Sequence, residues 1–275
     1  MLFGEKLRAA QSANHSFVCV GLDPDPARLP SGIEPTVSGM LAFCKAIVDS
    51  TADVTSVFKP NLAFFLTHGA SGIDALHEIV AYIPAQIPTI LDAKFGDIGN
   101  TAAQYARFAF DYVRVDAVTV SPYVGTDAIL PFLAHADKLA FVLSRTSNID
   151  GNEFQAWPAL GTSLYQRVAE TMVTLSKDYL QQIGLVVGAT QAAELESVRR
   201  LAPHLPFLVP GVGAQGGDLA AVVQHGVTSD GLGPVVNAGR AVLYASSGRD
   251  FAQAARNEVI ALNTQIAALS IQHDH

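Results

Sequence analysis

Cysteine is nearly missing from this chain: Cys19 and Cys44 are the two among 275 residues. Two thiols build no disulfide framework, and Cys19 lies inside an apolar run, so a reducing cytoplasm is the expected compartment. Charge is also sparse, at 15% of residues, and its balance is −8 at pH 7. That composition offers no basic surface for nucleic acid or an anionic membrane, so neither partner is expected, and any anionic ligand must meet local cations. No basic segment leads into a continuous apolar stretch at the N-terminus, and no apolar run is long enough to cross a bilayer. Metal-ligand spacing is lacking too. His68, His77, His135, His204 and His225 are scattered over expected helices and loops, and His273 and His275 lie in a polar tail, so no metal and no cofactor is expected.

What the chain does contain is apolar residues, 49% of the total, enough to bury a large core in one domain spanning residues 1–275. Short apolar runs recur, each ending in polar or turn-forming residues: 17–23, 54–58, 89–94, 117–121, 139–145, 183–190, 207–210 and 235–240. Between them lie segments with helical spacing: 38–52, 71–83, 100–113, a short piece near 127–136, 160–180, 191–201, one capped by Asp218 and running to about 225, and 251–268. In the segment 100–113, Tyr105, Phe108 and Tyr112 form the expected apolar side. Strands alternating with helices in this way predict an α/β fold, a single (β/α)8 TIM barrel. In such a barrel the active site lies at the carboxyl ends of the strands.

The densest cluster of charge sits at one such end, in Asp92-Ala93-Lys94-Phe95-Gly96-Asp97. Side chains alternate along a strand, so Asp92 and Lys94 point to the same side. Alone, an Asp-x-Lys pair reads as an exposed ion pair. Its neighbours change that reading, because Asp23, Lys59, Ser147, Gln215 and Arg240 also fall at or just past strand ends. Three acids and two lysines in alternation would lower the carboxylate pKa values and keep the ammoniums protonated. Such a set suits electrostatic work and proton donation by a lysine. The glycine-rich loop Gly211 to Gly217, followed by the Asp218 cap, offers backbone N–H groups, and Arg240 adds a cation; together these suit a phosphate. Tyr123 and Trp157 could contact a ligand, but each stands beside a proline and is expected to pack under a loop.

Read in order, Gly21-Leu22-Asp23-Pro24, Phe58-Lys59-Pro60-Asn61, Leu91-Asp92-Ala93-Lys94-Phe95-Gly96-Asp97-Ile98-Gly99-Asn100-Thr101, Leu143-Ser144-Arg145-Thr146-Ser147-Asn148, Val209-Pro210-Gly211-Val212-Gly213-Ala214-Gln215 and Gly239-Arg240 resemble the orotidine 5′-monophosphate decarboxylase family, in its longer bacterial subgroup. The resemblance implies a carboxy-lyase that needs no metal or cofactor and converts orotidine 5′-monophosphate to uridine 5′-monophosphate and carbon dioxide, the last step of de novo UMP biosynthesis. By that resemblance Asp92 faces the substrate carboxylate, Lys94 protonates carbon 6, and Lys59 and Asp23 hold the network and the ribose hydroxyls. Ser147 is implied to touch the base, Gln215 the phosphate and base, and Arg240 the phosphate, with Pro210 and Gly239 beside them. Asp97, Ile98 and Thr101 are implied to reach into a neighbouring subunit's site, making a homodimer the working unit. Phe95 stands where this subgroup usually has arginine, and Ile149 follows Asn148 where proline is usual.

Two other readings stay open at this stage. Magnesium-dependent sugar-phosphate decarboxylases and aldolase-like synthases share the Asp-x-Lys-x-x-Asp spacing, but place an acid where Lys59 stands. A non-catalytic phosphate-ligand sensor would keep Gln215 and Arg240 with no use for Lys94 and its two flanking acids.

Overall fold

A computed structural model describes residues 1–159, 161–212 and 217–273. Its centre is an 8-stranded sheet whose neighbours pair in parallel. The strands are β1 (Val18–Leu22), β2 (Val57–Pro60), β3 (Ile90–Phe95), β4 (Ala117–Val120), β5 (Leu139–Arg145), β6 (Ile183–Val187), β7 (Phe207–Val209) and β8 (Val235–Ala238). Pairing of Val18 with Val236 joins β1 to β8, and bridges at Phe58–Thr89 and Asn61–Asp92 join β2 to β3, so the sheet closes into the expected barrel. Every residue of β1, β2, β4 and β6 is buried. Parallel strands covered on both faces need apolar runs, interrupted in these four by Lys59 and Thr119, which is why the runs stood out in the sequence.

Two cores result. Between the sheet and the surrounding helices lies the larger one, which includes Phe43, Ile47, Leu76, Ile79 and Phe132. Inside the barrel, Cys19, Val57, Ile90, Ala117, Leu139, Phe141, Val186, Leu208 and Val235 meet Phe3 and Leu7. These last two come from the helix Phe3–Asn14, which the sequence reading did not include. Phe3 packs edge-on against Phe141 at 5.6 Å, and Lys6 pairs with Asp116 at 2.8 Å. The amino-terminal end of the barrel is thereby plugged, leaving the carboxyl ends of the strands for a site.

Several outer elements differ from expectation. The segment 100–113 is an α-helix over Gly99–Arg107 that widens into a π-helical turn over Phe108–Val113. Its inward face is Ala102, Ala106, Ala109, Phe110 and Val113, whereas Tyr105 and Tyr112 are exposed. Small side chains let this helix approach the sheet closely, and of the expected aromatic side only Phe108 packs against the core, half-buried. The 160–180 segment is helical only over Leu164–Leu175. A two-stranded ribbon, Pro158–Ala159 with Thr162–Ser163, comes first, and the Ser163–Gln166 capping box starts the helix. In place of one piece near 127–136 there is a 3-10 turn, Thr126–Ala128, and a short helix, Leu130–Leu133. The last helix runs further than expected, Phe251–His273. Tyr123 and Trp157 are 81% and 68% exposed, so neither packs under a loop. No helix among the described residues is long and apolar enough to cross a membrane.

Candidate active site

Strand β3 carries the site's central acid, and its geometry departs from simple alternation. Pairing with β4 slips between Leu91 and Phe95, and Lys94 has φ 51, in the left-handed region that a non-glycine residue adopts only when its surroundings enforce it. Thr119 on β4, itself 1% exposed, supplies the enforcement. Its Oγ1 accepts the N–H groups of Ala93 (3.0 Å) and Lys94 (2.9 Å), while its hydroxyl donates to Asp92 Oδ1 at 3.0 Å. One side chain thus fixes both the bulged backbone and the carboxylate.

Asp92 is held between two ammoniums. Lys59 Nζ donates to its Oδ2 at 2.9 Å, and Lys94 Nζ to its Oδ1 at 2.6 Å. Burial is graded along this row: side-chain exposure is 4% for Lys59, 13% for Asp92 and 51% for Lys94. Burial works against ionised Asp92, but attraction and hydrogen bonds from Lys59 and Lys94 outweigh it and hold the carboxyl well below the usual range. Burial likewise disfavours a charged Lys59, yet Asp92 and then Asp23 more than compensate, holding its pKa above that of a free lysine. Both stay ionised at neutral pH.

Asp23 corrects the expectation that opposite neighbours depress every acid in the set. Burial raises its pKa, and the pull of Lys59 does not cancel this. Its Oδ1 is buried without a hydrogen-bond partner among the described residues. The turn that carries it is held by Tyr244, whose hydroxyl donates to the Asp23 carbonyl at 3.0 Å and accepts the Asp25 N–H at 2.7 Å. Burial also pushes the nearby Cys19 thiol up to about 12, so it is no nucleophile.

These strand ends surround a cavity of about 290 Å³. It gathers Lys59, Asp92, Lys94, Ser147 and Pro210 from the expected set, with Leu143, Val186 and Leu208 as its apolar floor. Thr119, Asn237, Thr146 and Asn148 also line it and were not singled out in the sequence. The signal for Thr119 and Asn237 was their place near the ends of buried strands, where a polar residue needs a reason to be. Ser147 comes close because of Gly188: a Cβ there would lie 2.8 Å from the Ser147 backbone. Among the described residues no group of three or more His, Cys, Asp or Glu is placed to hold a metal ion.

A family model described as "Orotidine 5'-phosphate decarboxylase / HUMPS family" matches residues 16–256. The chain belongs to this family. It is 49% identical over 272 residues to an orotidine 5′-phosphate decarboxylase of Ralstonia pickettii, covering 97% of this chain and 98% of that one. Among solved structures, the Leishmania donovani OMP decarboxylase superposes with a TM-score of 0.82 at 37% identity, covering 96% of this chain and all (100%) of that one. A Toxoplasma gondii structure gives a TM-score of 0.87 at 38% identity over 96% of this chain and 98% of its own. The chain is therefore an enzyme of the decarboxylase class.

Of the remaining positions expected of an orotidine 5′-phosphate decarboxylase family member, those among the described residues do not line the cavity. Arg240 is exposed at the start of the short helix Arg240–Leu243, and a Cβ on the preceding Gly239 would lie 3.4 Å from Asp23 Oδ2. Asp97 accepts the N–H of Ile98 at 2.8 Å, and Ile98 and Thr101 are exposed beside it. Gln215 lies outside the described residues, as does most of its glycine-rich loop, but Asp218 caps the next helix as expected, accepting the Ala221 N–H at 3.0 Å. Phe95 is buried and stacks on Tyr105 at 4.4 Å, with no part in lining the cavity. Ile149 is 82% exposed.

Proposed function

We propose that the row Lys59, Asp92, Lys94 decarboxylates orotidine 5′-monophosphate to uridine 5′-monophosphate, the last step of de novo UMP biosynthesis, with Lys94 as proton donor. The observation that carries this reading is a single ionised carboxylate shared by one buried and one half-exposed ammonium. A substrate carboxylate placed against Asp92 meets like charge, worth about 4 kcal/mol at 4 Å and an effective dielectric of 20, and is relieved as carbon dioxide leaves. The bond from carbon 6 to the carboxylate breaks and its electron pair stays on carbon 6. Lys94 Nζ, anchored to Asp92 and with no other hydrogen-bond partner among the described residues, stabilises that charge and then donates a proton to it.

In this reading Asp23 and Lys59 take the ribose hydroxyls, Ser147 contacts the base, and Pro210 and Gly239 shape the walls. Arg240 and Gln215 take the phosphate, whose binding energy serves the reaction by fixing the ring. Asp97, Ile98 and Thr101 complete the cavity of a second subunit, so the working enzyme is a homodimer. The lysine at position 59, where the synthases of the same family are expected to carry a metal-binding acid, favours decarboxylation without metal.

Loss of the orotate absorbance on adding purified protein to orotidine 5′-monophosphate in the presence of chelator tests the reading, alongside Lys94→Ala. Turnover by wild type that Lys94→Ala lowers by orders of magnitude is the expected result. Magnesium-dependent action on a sugar phosphate, or tight binding of uridine 5′-monophosphate with no turnover, would each overturn it.

A further inference from the structure

Arg145 ends strand β5 as a cation that is 2% exposed yet does not line the cavity. Alternation from Leu143, which does line it, would send Arg145 the same way. The pairing of β5 with β6 shifts between these two residues, and the guanidinium lies under the adjoining loop. There all three of its nitrogens are used. Nε donates to the Glu194 carboxylate on the helix Ala192–Leu201, Nη2 to the Asn152 side chain, and Nη1 to the Thr146 carbonyl (3.3 Å) and Gln155 Oε1 (3.1 Å). Gln155 in turn accepts the Thr146 N–H at 2.8 Å and donates from Nε2 to Thr146 Oγ1 at 2.8 Å. Gly151 closes the wrap, since a Cβ there would lie 2.9 Å from Nη1.

The loop from 146 to 155 has one 3-10 turn, Ile149–Glu153, and otherwise no regular structure to fix it. Its first three residues, Thr146, Ser147 and Asn148, are a wall of the cavity. A buried guanidinium is a costly way to gain stability, but its planar fork can bind acceptors on separate segments at once, which an ammonium cannot match. We infer that Arg145 is a positioning residue that holds this wall in the shape that receives the pyrimidine. The inference rests on the proposed function, because it takes the wall to be the base-contacting side.

Binding of uridine 5′-monophosphate and of ribose 5-phosphate, with turnover of orotidine 5′-monophosphate, is compared for wild type and Arg145→Ala. The expected result is a loss of about 100-fold in kcat/KM, the scale of a small misplacement of positioning groups. Affinity for uridine 5′-monophosphate falls with it, affinity for ribose 5-phosphate does not, and added guanidinium ion recovers part of the loss whereas Arg145→Lys does not. Equal loss of both ligands, or wild-type binding of both, overturns the inference. Should Arg145→Ala fail to fold, Gln155→Ala removes the outer end of the same network and must show the same split between the two ligands. Wild type that neither turns over the substrate nor binds uridine 5′-monophosphate overturns the proposed function instead.

Discussion

Asp23 and Asp92 are the same acid under opposite conditions. Asp92 has two ammoniums and a hydroxyl; Asp23 has burial and an oxygen with no partner among the described residues. A carboxyl whose pKa is raised by folding contributes its stability below the unfolded value and loses it as pH rises through the folded one, so ionised Asp23 lowers stability at neutral pH. Asp23→Asn is therefore expected to raise unfolding free energy by on the order of 1 kcal/mol while weakening nucleotide binding, measurable by urea titration and by inhibition with uridine 5′-monophosphate. Asp92 has the reverse sign. Its depressed pKa makes its contribution complete above the unfolded value of about 3.9 and lost only in stronger acid; that of Lys59, raised, is complete below about 10.4 and lost only in stronger base. Asp92→Asn strands Lys59 in the interior and should cost about 3–5 kcal/mol. That difference should shrink in strong acid, as Asp92 is protonated, and at high pH, where the stranded Lys59 sheds its proton; a difference that persists unchanged in strong acid would contradict the assignment. These residues stood out in the sequence because charges end several apolar runs at once, where a single Asp-x-Lys pair reads as an exposed ion pair. The raised pKa of Asp23 was not, because it depends on burial that only the folded turn creates.

The bulge at the end of β3 belongs to the scale of elements. Nothing in Leu91-Asp92-Ala93-Lys94-Phe95 announces that Lys94 takes a positive φ, and Thr119 lies on another strand. Thr119→Val keeps the shape but removes the acceptor of two backbone N–H groups and the donor to Asp92. It should lower stability by about 1–3 kcal/mol and turnover by about 100-fold, with Thr119→Ser close to wild type, as read by thermal melts and steady-state kinetics. Strands were the most legible elements: the expected and observed bounds of β5 coincide at Leu139–Arg145. Helices were read less well where their partner surface decides the buried face. The alanines of Gly99–Arg107 face inward although aromatic residues at the same spacing looked the stronger signal. In the helix Phe3–Asn14, the inward set Phe3, Leu7, Ala10 and Gln11 is too sparse to stand out without the barrel end it fills.

At the scale of the whole molecule, the proposed homodimer makes a prediction about mixtures. If Asp97 completes the partner's cavity, Lys94→Ala and Asp97→Ala should each be nearly inactive alone. Subunit exchange between them should restore activity, up to about one quarter of the sites under random pairing, because each mixed dimer then has one intact cavity. A mixture no more active than its components, once exchange is shown by mass, would place Asp97 outside the partner's site. The closed sheet followed from the alternation of apolar runs and helical segments, whereas pairing between subunits has no comparable signature in the pattern of one chain.

The plug formed by Phe3, Leu7 and the Lys6–Asp116 pair has a kinetic corollary. A tube stoppered at its far end is a cul-de-sac: nothing drains along the axis, and whatever is made must back out through the mouth by which its precursor arrived. In the proposed reaction carbon dioxide leaves by that same mouth, which the nucleotide occupies until it dissociates, so traffic through the enzyme is single file.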